Sequence, residues 1–147
     1  MLKKGFYFIR SKQMHLSLLQ AENFYREHTG RFFFNRLTKF MSSSPISAHM
    51  IGKEDAIREW RNMLGPTKVI RTQYESEDSI RGMYGITDTR NVAHGSDCLE
   101  TAFKEIKFFF PEFDFLSWSR DELPHLVNDN VEFDPVEEVH KVKCLQR

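Results

Sequence analysis

Cysteine is scarce in this chain of 147 residues: Cys98 and Cys144 are the only two. Neither belongs to a Cys-x-x-Cys pair, which argues against a structural zinc site and suits a reducing compartment with both thiols unpaired. An excess of charge of either sign is missing too, since 21 Lys and Arg balance 21 Asp and Glu. That balance leaves no whole-molecule field to draw in nucleic acid or an anionic membrane, so neither is expected as a partner. No apolar run approaches the ~20 residues of a bilayer span. Met1-Leu2-Lys3-Lys4-Gly5-Phe6 has too little apolar length for a signal peptide and none of the Arg- and Ser-rich character of a transit peptide. There is no internal repeat and no low-complexity tract.

What the chain does have is phenylalanine. Aromatics make up 14% of the residues and 14 of them are Phe, which points to an aromatic-rich core in one domain of ordinary size. Gly5 to Ile9 is aromatic and β-branched and reads as a strand reaching toward Leu16. Ser17 followed by Gln20 is a capping-box pattern that opens a helix to about Glu27, where Gly30 ends the segment. Phe33, Leu37, Phe40 and Met41 predict a second helix, and Ile46 to Ile51 a short strand closed by Gly52. Ala56, Ile57, Trp60 and Leu64 share one face of a third helix, stopped by Gly65-Pro66. Asp78 to Tyr84 is a short helix, and residues 86–96 form an aperiodic loop with a few strand residues near His94. Asp97 with Glu100 caps a last clear helix whose apolar face is Ala102, Phe103, Ile106, Phe109 and Phe110, ended by Pro111.

From about Leu116 the composition turns acidic, with Asp121, Glu122, Asp129, Glu132, Asp134, Glu137 and Glu138, before a basic end at Lys141, Lys143 and Arg147. The reading is a domain over 1–115 and an extension over 116–147 that wraps the surface or is partly disordered, anchored by Trp118.

The richest stretch chemically is His94-Gly95-Ser96-Asp97. Arg90 and Asn91 precede it, Glu100 and Glu105 follow at helical spacing, and Arg61, Thr67 and Arg81 lie upstream. A neutral imidazole in a loop, with arginines that seek phosphate and a carboxylate behind it, is suited to taking a phosphoryl group onto histidine. Imidazole has a reference pKa of ~6.5, which keeps such a group usable near neutrality. His15, His28, His49, His125 and His140 share no ligand spacing and read as ordinary histidines, and Phe108-Phe109-Phe110 as core packing, while Arg90 reads either as a phosphate-seeking arginine or as a brace for the loop.

Several motifs occur in one order: Trp60-Arg61-Asn62-Met63-Leu64-Gly65-Pro66-Thr67, Ser79-Ile80-Arg81-Gly82, Arg90-Asn91-Val92-Ala93-His94-Gly95-Ser96-Asp97, then Glu105-Ile106 and Phe108-Phe109-Phe110-Pro111. The series resembles a nucleoside diphosphate kinase of a divergent type, from about Gly5 to Phe115. The resemblance implies an α+β, ferredoxin-like fold: an antiparallel sheet covered by helices. It implies ping-pong transfer of the γ-phosphate from a nucleoside triphosphate to a nucleoside diphosphate, maintaining triphosphate pools. By position, His94 would be the nucleophile, with Glu105 holding its tautomer directly or through Ser96. Arg61, Thr67 and Arg81 would hold phosphates, Asn91 the ribose hydroxyl, and Phe33 the base by stacking. Leu37 would line the same cleft and Tyr25 would sit beside the catalytic centre. Mg2+ would arrive with ATP or another nucleoside triphosphate, held mainly by its phosphates and not by a protein metal site. A homo-oligomer or a protein partner fits the family, and the compartment is cytoplasmic or mitochondrial.

Two departures matter. The resemblance implies a first, central strand bearing a Lys-Pro-Asp motif before Gly5, and no such motif occurs; the prolines are Pro45, Pro66, Pro111, Pro124 and Pro135. Loss of a charge that stabilises the transition state costs ~3 kcal/mol, and loss of a central strand leaves backbone groups unpaired. Two expectations follow: an active enzyme read from a truncated start, or a weak or inactive interaction module of kinase fold that works through a protein partner. Asp88 stands where the family has a small apolar residue near the nucleotide, and an acid there would repel phosphates if it faced them. Lys68 replaces the Asn often found after the Thr.

Overall fold

The computed structural model describes residues 1–143, so the expectations for Cys144 and Arg147 lie outside the described residues. The chain divides into two compact units. One comprises Met1–Gln13, Ser47–Ala56 and the segment from Ile106 onward; the other comprises Met14–Ile46 and Ile57–Glu105.

The first unit is built around β1 (Tyr7–Met14) and β2 (Ile46–Gly52), which pair in a two-stranded sheet. Phe8, Ile9, Ala48 and Met50 are buried along these strands. The unit also holds α7 (Phe115–Asp121), α8 (Leu123–Val127) and the antiparallel pair β3 (Val131–Asp134) and β4 (Val139–Val142), with Val131 opposite Val142 and Asp134 opposite Val139. The segment expected to wrap the surface or lie partly disordered is therefore regular structure as far as Val142. Leu126 and Val131 from it join Ile9, Ala48, Met50, Phe110 and Phe113 in one apolar cluster, against which Trp118 packs. Burying a large apolar side chain of this kind contributes ~2 kcal/mol. Carboxylates add directional bonds. Asp114 caps α7 by accepting from the Leu116 and Ser117 N–H groups, Asp134 accepts from Val136 and Glu137 in the hairpin turn, and Glu122 holds Arg10 by two bonds of 2.9 and 2.5 Å.

The second unit is helical. In α1 (Leu18–Phe24) the capping box is complete: Ser17 Oγ accepts from Gln20 N–H, while the Gln20 side chain accepts from Ser17 N–H. A 3₁₀ turn follows at Arg26–His28, then α2 (Phe34–Met41), α3 (Ala56–Leu64), α4 (Val69–Glu75), α5 (Ile80–Tyr84) and the start of α6 (Leu99–Phe109). Leu64 and Val69 are fully buried. Residues 86–98 are irregular, without the strand residues expected near His94. Glu100, expected to cap α6, pairs with Lys104 one turn on at 2.6 Å, and Phe103, expected on the apolar face, is 49% exposed.

Candidate functional site

The site is assembled from the ends of short helices. The apolar face of α3 buries Leu64 at its last residue, which leaves Trp60 and Arg61 one turn back. Gly65 ends the helix at φ +78, and a Cβ there would stand 2.3 Å from Ser79 Oγ, so the chain turns where only glycine fits. Ser79 caps α5 by accepting from Gly82 N–H, and α5 presents Arg81.

Arg81 is half-buried and its guanidinium donates to three carbonyls: Gly65 at 2.7 Å, Ala93 at 2.8 Å and Asn91 at 3.3 Å. Burial, reinforced by the like charge of Arg61, pushes Arg81 below its ordinary value. The Asn91 and Ala93 carbonyls bracket Val92, which sits at φ 78. That is a left-handed conformation for a β-branched residue, costing ~1–3 kcal/mol. Arg81 thus braces a strained bend two residues before His94. Arg61 is exposed and donates to the Gly95 carbonyl at 3.4 Å.

His94 Nε2 lies 2.7 Å from Glu105 Oε1, and Ser96 Oγ donates to Glu105 Oε2 at 2.5 Å. The His94 side chain is 42% exposed and that of Glu105 only 17%. A carboxylate can only accept, so it selects the tautomer with hydrogen on Nε2 and leaves the lone pair on Nδ1. Two aromatic rings flank the imidazole edge-on, Phe24 at 5.4 Å and Tyr25 at 6.1 Å between centroids. Tyr25 is buried, and burial together with the charge of Glu105 lifts its phenol far above the ordinary range, so it stays protonated. Ring contacts continue from Tyr25 to His28 at 6.1 Å and from His28 to Phe33 at 5.4 Å.

Of the residues singled out in sequence, the structure brings His94, Glu105 and Ser96 into direct contact and sets Arg61, Arg81 and Tyr25 around them. Phe33 is half-buried ahead of α2 and joins the group through His28. Leu37 is half-buried on α2, and Thr67 is exposed in the turn after Gly65. Asn91 uses its amide N–H on the Asp88 carbonyl at 3.0 Å. Arg90 lies over the Phe40 ring at 5.7 Å. Asp88 accepts from Val69 N–H at 2.9 Å and so caps α4, whose own N-cap Lys68 offers no side-chain bond.

Sequence reasoning passed over Trp60 and Gly95 as site residues. Trp60 Nε1 donates to the His94 carbonyl at 3.2 Å, and a Cβ on Gly95 would stand 2.6 Å from the indole. Their adjacency to Arg61 and His94 in the motifs was the available signal. The donors around His94 are guanidinium and hydroxyl groups, suited to phosphate oxygens. Among the described residues no three His, Cys, Asp or Glu gather to hold a metal ion, and no helix is long and apolar enough to cross a membrane.

Comparison with known proteins gives the family. The family model described as nucleoside diphosphate kinase matches residues 1–115. Nucleoside diphosphate kinase 6 of Danio rerio is 48% identical over 140 residues, covering 95% of this chain and 80% of the relative. The human protein of that name is 43% identical over 141 residues, covering 96% and 76%. Among solved structures, the nucleoside diphosphate kinase of Aquifex aeolicus superposes with TM-score 0.72 at 35% identity, covering 78% of this chain and 79% of that one. That of Encephalitozoon cuniculi gives 0.69 at 33%, covering 74% and 72%. A family match over most of the described residues and relatives above 40% identity lead to one conclusion: the chain belongs to the nucleoside diphosphate kinase family and has its α+β, ferredoxin-like fold.

Proposed function

We propose that this chain transfers the γ-phosphate of a nucleoside triphosphate to a nucleoside diphosphate through phosphohistidine at His94. One observation carries the reading: an accessible imidazole whose Nε2 is engaged by Glu105 at 2.7 Å, leaving the Nδ1 lone pair for attack. In the first half-reaction Nδ1 forms a bond to the γ-phosphorus while the bond to the bridging β–γ oxygen breaks, and the diphosphate leaves with that oxygen's electrons. The ring becomes cationic as the N–P bond forms, and Glu105 stabilises that charge through Nε2–H, with Ser96 fixing the carboxylate. The second half-reaction is the reverse with a different diphosphate.

Phosphoryl transfer asks a protein mainly for positioning and charge neutralisation. Arg61 and Arg81 supply planar donors for phosphate oxygens, with Thr67 as a further hydroxyl donor and Asn91 at the ribose. Phe33 offers a ring face for the base, with Leu37 beside it and Tyr25 forming the wall behind His94. Bound with the nucleotide, Mg2+ would neutralise phosphate charge, its ligands coming mainly from the phosphates themselves. Residues 1–115 would carry this activity, with 116–147 as an extension to it.

The test is incubation with γ-labelled ATP. Acid-labile label that is lost in His94→Ala and discharged by a nucleoside diphosphate supports the proposal; label retained in that variant removes His94 from its role. The competing reading is a weak or inactive kinase fold acting through a protein partner. A nucleotide-exchange assay separates the two: exchange that His94→Ala abolishes removes the competing reading.

A further inference from the structure

The loop that carries His94 has no ladder of its own to occupy its carbonyls. Side chains of α3 and α5 take them instead: Arg81 those of Asn91 and Ala93, Trp60 that of His94, and Arg61 that of Gly95. Under the phosphohistidine reading, the arginines must also meet phosphates that arrive and depart, so their hold on the loop changes during turnover. The indole N–H is different. It is neutral and a donor only, and it has no share in phosphate charge. Its ring also lies against Gly95, where a Cβ would stand 2.6 Å from Cδ1 and 2.7 Å from Nε1. One side chain therefore grips the nucleophile's peptide twice, by a hydrogen bond to the His94 carbonyl and by contact with the next residue.

We infer that Trp60 is a positioning residue for His94, fixing the peptide from which the imidazole hangs so that Nδ1 keeps its aim in both half-reactions. The inference rests on the phosphohistidine reading. Glu105 and the rings of Phe24 and Tyr25 hold the imidazole itself, but none of them holds the peptide from which it hangs. The backbone anchor supplies the second fixed point. Misplacing a reacting atom by about an ångström is enough to slow such a step ~100-fold.

The test combines Trp60→Phe, which keeps a ring edge against residue 95 but deletes the donor, with Trp60→Ala, which removes the edge as well, Gly95→Ala and the Trp60→Ala, Gly95→Ala double variant. Single-turnover phosphorylation of His94 by labelled ATP is measured beside nucleotide KM. Trp60→Phe should slow phosphorylation about tenfold while KM stays within about twofold, the pattern of lost aim and not lost binding. Gly95→Ala should be slower still in the parent, and distinctly less harmful once the indole edge is gone, because the two changes report one contact. In the folded parent protein, the Trp60 indole 1H–15N resonance should move when His94 is phosphorylated. A Trp60→Phe protein with unchanged melting and the parent rate overturns the inference, as do strictly additive effects in the cycle. If the parent protein takes up no label at all, the phosphohistidine reading fails first and the inference with it, a result obtained before any variant is made.

Discussion

Ile9, Ala48, Met50, Phe110, Phe113, Leu126 and Val131 give the first unit one contiguous apolar cluster. The second unit holds itself differently. Among the described residues, all three buried polar side chains, Thr38, Thr72 and Thr89, belong to it, and each is hydrogen-bonded within the unit. Thr38 bonds back within α2, Thr72 donates to carbonyls at Pro66 and Lys68, and Thr89 accepts from Arg36 at 2.8 Å. Apolar burial is non-directional, whereas hydrogen bonds to named carbonyls fix where a loop goes. The loop that carries the candidate nucleophile is held by directional contacts of this kind.

That contrast is open to attack at several points. The largest effect is expected from Phe113→Ala, which empties part of the apolar cluster and should cost ~3–5 kcal/mol, read as a large fall in Tm. Phosphorylation of His94 per folded molecule should stay near the parent rate, and a matching fall in that rate would break the contrast. Arg81→Met should do the reverse. Losing three carbonyl bonds around Val92 and a cation near the phosphates should slow phosphorylation ~100-fold or more, with a smaller drop in Tm. Parent-like kinetics would show that the loop holds its shape without it.

Asp88→Ala should cost about 1 kcal/mol, the ordinary worth of a helix cap. Asp88→Asn should recover most of it, and faster amide exchange at Val69 is the direct readout. The smallest effect concerns acid. Burial pushes His49 and His140, both in the first unit, below the ordinary imidazole value. Between the unfolded value of ~6.5 and their lower folded values, the unfolded chain binds more protons, so stability rises with pH across that window. Their contribution is complete above ~6.5 and is lost as pH falls through the folded values. Protonation would also remove the acceptor that His140 Nδ1 offers to Phe8 N–H at 2.8 Å. Melting followed from pH 7 to 5 should show a slope that flattens in a His49→Asn, His140→Gln double variant.

Local signals in the sequence carried far. The capping box at Ser17 and Gln20, the face of α3 and the Gly65 stop all rest on residues within a few positions of one another, so they are readable from the chain. The helix α4 was not read, because its cap, Asp88, comes from 19 residues away. The regular structure of the segment after Leu116 is not legible in the sequence because its acids resemble those of a solvated tail. Their partners are the Val136 and Glu137 N–H groups for Asp134 and the Arg10 guanidinium for Glu122, and no composition count shows such partners. At the site, the residues around His94 single out the imidazole, whereas the choice of Glu105 over Glu100 comes from the family resemblance and not from spacing. The part played by Trp60 is not legible in the sequence, since it depends on a carbonyl 34 residues on.

The indole lying where a side chain on residue 95 would go has a consequence for inheritance. A lineage that gained a methyl at 95 would first have to give up the tryptophan, and one that lost the tryptophan would be released from the glycine. Positions 60 and 95 should therefore drift through related genomes as a linked pair, each change in one foreshadowed by a change in the other.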